Sequence, residues 1–449
     1  MDSSPACPGA AAAPAIVVGG GISGLLSARE LSAAGHAVTV LEASDRWGGC
    51  VASHTLAGLT LDSGAESFAT RTDAVSGLIA DLGLAGSIVA PRPGGAWVQL
   101  PEGPRELPRT GVLGIPANPW DPEVRRSLGL AGSLRASLDR FLPASIGGAA
   151  EVTSVSGLVR KRMGSRVLDR LVSPVVGGVH SADPGMLDVD MVAPGLRAGL
   201  RKHGSLAAAV SALVADLRAR GVRLLPGTAA SKVARTADGW RVTAGEETYD
   251  AGLLVVAVEG PAAVGLLEGA VPGISGSAPL SGPDVRLVTL VLDKPELDAR
   301  PRGTGVLVAP QTPGVEAKAL THATGKWDWL AAAAGPGRHV VRLSYGRVDG
   351  LGLQGGGPAT EEDLLGAALR DAASLLGVPM SRDDLVDWDV VRWQGSLPFA
   401  AVGHRARVAG IRGACAAAGG MALVGGWVAG NGLAAVVADT REQIRRLAA

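Results

Sequence analysis

Three glycines and one acid carry the clearest chemistry in this chain of 449 residues. Gly19, Gly21 and Gly24 stand in G-x-G-x-x-G spacing within Gly19-Gly20-Gly21-Ile22-Ser23-Gly24, and Glu42 lies at the end of the apolar run that follows. In this pattern the first glycine permits a tight turn, the second lets a pyrophosphate approach the backbone, and the third lets helix and strand pack closely. The acid accepts hydrogen bonds from a ribose hydroxyl. The chemistry is dinucleotide binding. Such residues need a βαβ unit to hold them, and the flanking sequence supplies one. Ala15–Val18 is a short apolar strand, Leu25, Leu26, Ala28 and Leu31 recur at helical spacing, Gly35 stands where a helix would stop, and Val38–Leu41 is a second strand. The helix start adds free N–H groups and partial positive charge for the phosphates.

Length and composition bound the rest. A chain this long needs two or three lobes. Formal net charge is zero, so no global field points to nucleic acid. Cys7, Cys50 and Cys415 form no C-x-x-C, and the seven histidines fall in no ligand spacing, so neither a disulfide framework nor a metal is expected. Residues 1–13 read as a frayed tail rather than a leader, because the small apolar start lacks a positive n-region. Residues 414–438 carry no charge and are long enough to span a bilayer. Their glycines divide the stretch, so a buried strand, a turn and a helix start are expected instead.

Along the chain, Ala43 to Gly49 forms a loop ending in the Gly48-Gly49 pair, and Leu59–Asp62 leads into the turn Ser63-Gly64-Ala65-Glu66-Ser67-Phe68. Residues 75–210 read as mostly helical, with a helix over 74–84, a hairpin over 94–108 and a helix over 155–171. A helix to Arg220, then strands over 229–257, read as the return to a nucleotide-binding sheet. Alternating strands over 285–292, 305–308, 318–321 and 340–345 form an antiparallel sheet, and 361–376 is an amphipathic helix. Arg160, Lys161, Arg162, Arg166 and Arg170, with Arg197, Arg201 and Lys202, are either a solvated helix face, a contact for an anionic membrane or a site for carboxylates.

The segments G-G-G-I-S-G-L, E-A-S-D-R-W-G-G and D-S-G-A-E-S-F together resemble the FAD-binding opening of the flavin amine oxidase superfamily, most of all its protoporphyrinogen and coproporphyrinogen oxidase branch. The stretch S-P-V-V-G-G-V-H-S-A-D is similar to that branch's E-P-x-x-G-G-V-Y-A-G-D, with His180 in place of an aromatic. Lys326-Trp327, the segment Arg342 to Arg347, and R-W-Q-G-S-L-P-F followed by G-H at 403–404 carry the likeness to the C-terminal part.

The resemblance implies an α/β (α+β overall) two-dinucleotide-binding-domain flavoprotein. Its Rossmann-like FAD domain is discontinuous (1–74, 205–264 and 391–449), with a helical and substrate-domain insertion at 75–204 and an antiparallel-sheet substrate domain at 265–390. The expected FAD contacts are Gly19, Gly20, Gly21, Ile22, Ser23, Gly24, Glu42, Ala43, Arg46, Gly48, Gly49, Gly64, Ala65, Glu66 and Ser67, then Ala230, Trp393, Gly430, Asn431, Gly432 and Leu433. The resemblance further implies oxygen-dependent oxidation of a porphyrinogen with hydrogen peroxide as by-product, and no catalytic side chain. The substrate's propionates ask for arginines, of which Arg71 is the first candidate and Arg92 a weaker one. An Arg-rich, Lys-poor composition, as of a GC-rich bacterial genome, favours coproporphyrinogen III over protoporphyrinogen IX. A flavin amine oxidase and a non-catalytic flavin-binding protein are the alternatives. A cytoplasmic setting, peripheral membrane contact and transient contact with a ferrochelatase complete the expectations.

Overall fold

The structure is a computed structural model, and it describes residues 12–68, 72–108, 112–116, 118–142, 154–188, 207–347, 360–395, 399–430 and 432–449. At its centre lies a five-stranded parallel sheet in the order β17–β11–β1–β2–β7. Its strands are β1 (Ala15–Val18), β2 (Val38–Leu41), β7 (Arg223–Leu225), β11 (Leu253–Val256) and β17 (Met421–Leu423). The β1 and β17 strands are buried along their whole length, as expected of a parallel sheet covered on both faces.

One face is covered by α1 (Ile22–Ala33), α2 (Ala74–Asp81), α6 (Ala207–Ala219) and α10 (Leu433–Leu447). Leu25, Leu26 and Leu31 of α1 are fully buried there, each contributing about 2 kcal/mol by leaving water. The other face carries α7 (Gly260–Leu267), α9 (His404–Ala418) and a three-stranded sheet of β8 (Ala230–Thr236), β9 (Gly239–Ala244) and β10 (Glu247–Ala251).

A seven-stranded sheet in the order β16–β12–β15–β14–β13–β5–β6 forms the second lobe. It comprises β5 (Ala96–Leu100), β6 (Gly103–Glu106), β12 (Val285–Asp293), β13 (Gly305–Val308), β14 (Ala319–His322), β15 (Arg338–Tyr345) and β16 (Leu385–Trp393). The amphipathic helix α8 (Glu361–Leu376) packs on it, with Thr360 as N-cap. This sheet is larger than the sequence pattern indicates. The strand set does not close at Tyr345, because β16 pairs antiparallel along β12. Its half-buried residues alternate too weakly for a strand to be read from periodicity. The hairpin of β5 and β6 also joins the sheet, and β5 runs parallel to β13, so the sheet is mixed rather than antiparallel.

The remaining lobe is helical, with α3 (Pro122–Ser137), α4 (Val155–Met163) and α5 (Ser173–His180) around one apolar cluster. The helix expected over 155–171 is broken at Gly164, whose φ of +92° suits glycine. Residues 414–438 divide into the end of α9, β17, a short turn of helix at Gly426–Ala429 and the start of α10. No helix among the described residues is long and apolar enough to cross a membrane. The hairpin of β3 (Ser53–Leu56) and β4 (Leu59–Asp62) leads the chain from the parallel sheet to the edge of the second lobe.

Candidate functional site

The turn after β1 is built for close approach. Gly19 has φ +105°, and a Cβ there would lie 2.7 Å from the Ala257 carbonyl oxygen. At Gly24 a Cβ would lie 1.8 Å from the Gly19 carbonyl oxygen, so the first turn of α1 touches the strand end directly. Gly21 is different: a Cβ there would meet no protein atom within 4 Å. Its open side is where a ligand would run. As N-cap of α1, Gly21 offers no side-chain acceptor, so the first-turn N–H groups that begin at Ile22 and Ser23 remain for a phosphate.

The loop after β2 closes over this turn. Gly48 N–H donates to the Gly20 carbonyl at 2.9 Å, Gly21 and Gly48 form a parallel bridge, and Gly49 lies against Gly21. Glu42 Oε2 accepts the Gly20 N–H at 2.6 Å, while Oε1 accepts the Ser44 N–H at 2.9 Å. The carboxylate is thus fixed at the tip of β2, beside the fingerprint. A cavity of about 420 Å³ opens beyond it, lined by Gly19, Glu42, Ala43, Thr228, Ala230 and Ser231 among others. Glu42 and Ala43 meet Ala230, far away in sequence, at this one opening. A dinucleotide's adenosine half fits a pocket of this size and lining, next to an acid and a free helix start.

The second part of the site is the turn after β4. Ala65 N–H donates to the Cys50 carbonyl at 2.8 Å, and Trp393 Nε1 donates to the Ser63 carbonyl at 2.8 Å. Gly64 packs under the Trp393 ring, and the Arg46 guanidinium lies 5.2 Å over that ring's centre. Arg46, Gly64 and Trp393 therefore belong to one cluster. Glu66 turns the other way. Its carboxylate accepts from Lys326 Nζ at 2.7 Å, Trp327 Nε1 at 2.9 Å and Arg342 Nη2 at 2.6 Å. Arg342 Nη1 also donates to the Asp62 and Gly64 carbonyls at 2.9 and 3.1 Å. The Glu66 side chain is committed to the second lobe, which leaves only its main chain for the expected cofactor contact. Burial pushes the Glu66 carboxyl up, but Arg342 and Lys326 outweigh it and hold it down to about 2. Asp62, at the end of β4, goes the opposite way. Burial and the nearby Glu66 charge push it up to about 7, against Arg342 and Lys326.

The chain returns to the site near its C-terminal end. Trp427 Nε1 donates to the Val258 carbonyl at 3.0 Å, and Gly430 has φ +100°. Gly432 is the uncapped N-cap of α10, followed by Leu433 against the α1 side of the core. Asn431 lies outside the described residues, as does the substrate candidate Arg71. Arg92 forms an ion pair with Asp328. The basic run on the helical lobe is partly committed. α3 is kinked at Gly129, and the freed carbonyls of Leu128 and Ser127 accept from Arg166 at 3.0 Å and Arg170 at 3.1 Å. Arg162 pairs with Asp139, whereas Arg160 and Lys161 are exposed. Burial drives His180 down to about 4.

The role of Arg342 was not assigned from the sequence. An arginine inside the apolar run of β15 is the signal that could have found it, since a charge at an inward position needs a partner.

A family model for flavin containing amine oxidoreductases matches residues 22–443. The coproporphyrinogen III oxidase of Mycobacterium tuberculosis is 28% identical over 463 aligned positions, covering 94% of each chain. That of Bacillus subtilis is 25% identical, covering 90% of this chain and 91% of its own. Among solved structures, an Exiguobacterium protein assigned provisionally as a protoporphyrinogen oxidase superposes with a TM-score of 0.79 at 23% identity, covering 97% of this chain and 98% of that one. Cyclohexylamine oxidase from Brevibacterium oxydans superposes with a TM-score of 0.66 at 16% identity, covering 97% and 98%.

Proposed function

The chain belongs to the flavin containing amine oxidoreductase family, binds FAD, and from that premise we propose that it oxidises coproporphyrinogen III to coproporphyrin III. The observation that carries the substrate is the likeness, over nearly the whole chain, to enzymes named for that reaction. Three rounds each remove two electrons and two protons from the macrocycle. Three dioxygen molecules take up those electrons and protons and leave as three hydrogen peroxide molecules.

Bound FAD supplies the two-electron acceptor. The chain's own residues do the rest by holding and orienting. The start of α1 with Gly21 takes the pyrophosphate, Glu42 the ribose, and the main chain at Ala230 the adenine. The turn at Gly64 to Ser67, under Trp393 and tied down through Glu66, fixes the flavin side relative to the substrate lobe. Arg71, which follows that turn in sequence, remains the proposed propionate contact.

We further propose a cytoplasmic protein in peripheral contact with anionic lipid and in transient contact with a ferrochelatase. Leu130, Leu134, Leu138 and Phe141 form an exposed apolar ladder on the outer face of the helical lobe, and Arg125, Arg126, Arg140, Arg160 and Lys161 are exposed on the same lobe.

The function is tested by porphyrin fluorescence in air with each porphyrinogen. Faster fluorescence growth with coproporphyrinogen III, with peroxide released at three per porphyrin, is expected. Preference for protoporphyrinogen IX would reassign the substrate, and turnover of amines alone would overturn the reading.

A further inference from the structure

Two cations at the seam between the helical lobe and the seven-stranded sheet, one buried and one half-buried, have no anion among the described residues. Lys318, at the entry to β14, is 2% exposed, although lysine seldom sits so deep without a carboxylate. Its ammonium hydrogen-bonds the fully buried Ser181 hydroxyl and donates to the Gly346 carbonyl at 2.9 Å. Arg347, just past β15, donates through Nη2 to the Val308 carbonyl at 2.6 Å, and its buried Nε has no partner. The acceptors of these two side chains, the Ser181 hydroxyl and the Gly346 and Val308 carbonyls, are neutral oxygens. Among the described residues no carboxylate pairs with either.

The seam is shaped around them. α5 ends at His180, and Ser181 caps it in the left-handed region at φ 55°, an uncommon place for a serine. That conformation turns its hydroxyl to Lys318. One turn back, a Cβ at Gly177 would lie 3.7 Å from Arg347 Nε, so α5 packs directly against that unpartnered nitrogen. The C-terminal end of α5 contributes about half a negative charge. That is too little to keep both side chains charged, and a buried charge without a counter-ion is costly. Burial, with Arg347 adding to it, presses Lys318 down to about 7, and burial presses Arg347 down to about 10. Among the described residues the pair is short of one anion.

We infer that Lys318 and Arg347 form the cationic half of a carboxylate-binding subsite at this seam, which takes one propionate of the porphyrinogen. The inference rests on the porphyrinogen reading given above for the substrate. A carboxylate oxygen there would accept from Arg347 Nε and lie beside the Lys318 ammonium, supplying the missing charge.

The test uses FAD-loaded protein and the reaction product. Coproporphyrin III, its tetramethyl ester and acetate are titrated into wild type, Lys318→Met and Arg347→Met at pH 7.5, in two buffers of different ionisation enthalpy. Each variant should bind coproporphyrin III at least about tenfold more weakly, while the ester binds all three proteins alike. Wild type should take up a proton on binding, because an anion beside Lys318 raises its pKa, and Lys318→Met should not. Lys318→Arg keeps the charge, so it should retain affinity without proton uptake, and it serves if the methionine variant does not fold. Acetate binding to wild type but not the variants, with coproporphyrin III bound equally by all, would overturn the propionate assignment. Equal coproporphyrin III binding in all variants without acetate binding would overturn the subsite and leave the substrate reading standing. Failure of wild type to bind coproporphyrin III at all would overturn the substrate reading itself.

Discussion

Glu66 and Arg342 meet at 2.6 Å across the boundary between the cofactor turn and the seven-stranded sheet. The same guanidinium holds the carbonyls of Asp62 and Gly64, so a single side chain of β15 grips both ends of the turn. The turn proposed to face the flavin is therefore set by the seven-stranded sheet as well as by the parallel sheet it follows.

Glu66→Gln leaves Lys326 and Arg342 buried without their carboxylate. Breaking a buried ion pair from one side costs about 3 kcal/mol, so the melting temperature should fall clearly, and the flavin retained after gel filtration should fall with it. An unchanged melting temperature would show that the network carries no load.

Asp62 makes stability depend on pH in a defined direction. Its folded pKa of about 7 lies above the ordinary carboxylate value, so its contribution is fully present below about pH 4 and is lost as pH rises through 7. Asp62→Asn should raise the melting temperature at pH 8 and leave it unchanged near pH 4. Glu66 works oppositely, being lost only as pH falls through about 2. An Asp62→Asn gain that is equal at both pH values would contradict the assignment.

Two glycines of one fingerprint should fail differently. Gly24→Val forces a side chain into the Gly19 carbonyl and should abolish soluble, folded protein. The Cβ that Gly21→Val adds meets no protein atom within 4 Å, so the chain should fold with near wild-type circular dichroism yet purify without flavin absorbance. A yellow Gly21→Val protein would remove the pyrophosphate from this turn.

On the helical lobe, Leu134→Asp with Phe141→Asp should reduce co-flotation with phosphatidylglycerol vesicles and leave turnover of soluble substrate unchanged. Equal flotation of wild type with neutral phosphatidylcholine vesicles would argue against an electrostatic contact.

Much of the cofactor side was legible because its constraints are local. A glycine whose Cβ would strike a carbonyl, an apolar strand buried on both faces and an acid at a strand tip all leave marks in the sequence, as Gly24, β1 and Glu42 do. What escaped was long-range. Nothing near Trp393 announces that it ends a strand lying along β12, since β16 is half-buried on both faces. The committed carboxylate of Glu66 was equally hidden, because its partners Lys326 and Arg342 come from more than two hundred residues away. The basic run on α4 and beyond read as one class of charge, whereas Arg166 and Arg170 serve the carbonyls freed by the Gly129 kink.

The strand order β17–β11–β1–β2–β7 sets synthesis against assembly. β1 precedes every other strand of the sheet in sequence, yet one of its two neighbours, β11, is made after the helical lobe, and β17 after the whole second sheet. Until β11 is made, β1 carries an open hydrophobic strand edge, a hazard for misassociation. The inserted lobes have their own cores and can consolidate during that wait, but the cradle cannot. The five-stranded sheet is consequently complete only once β17 has been made, long after the glycine turn that follows β1.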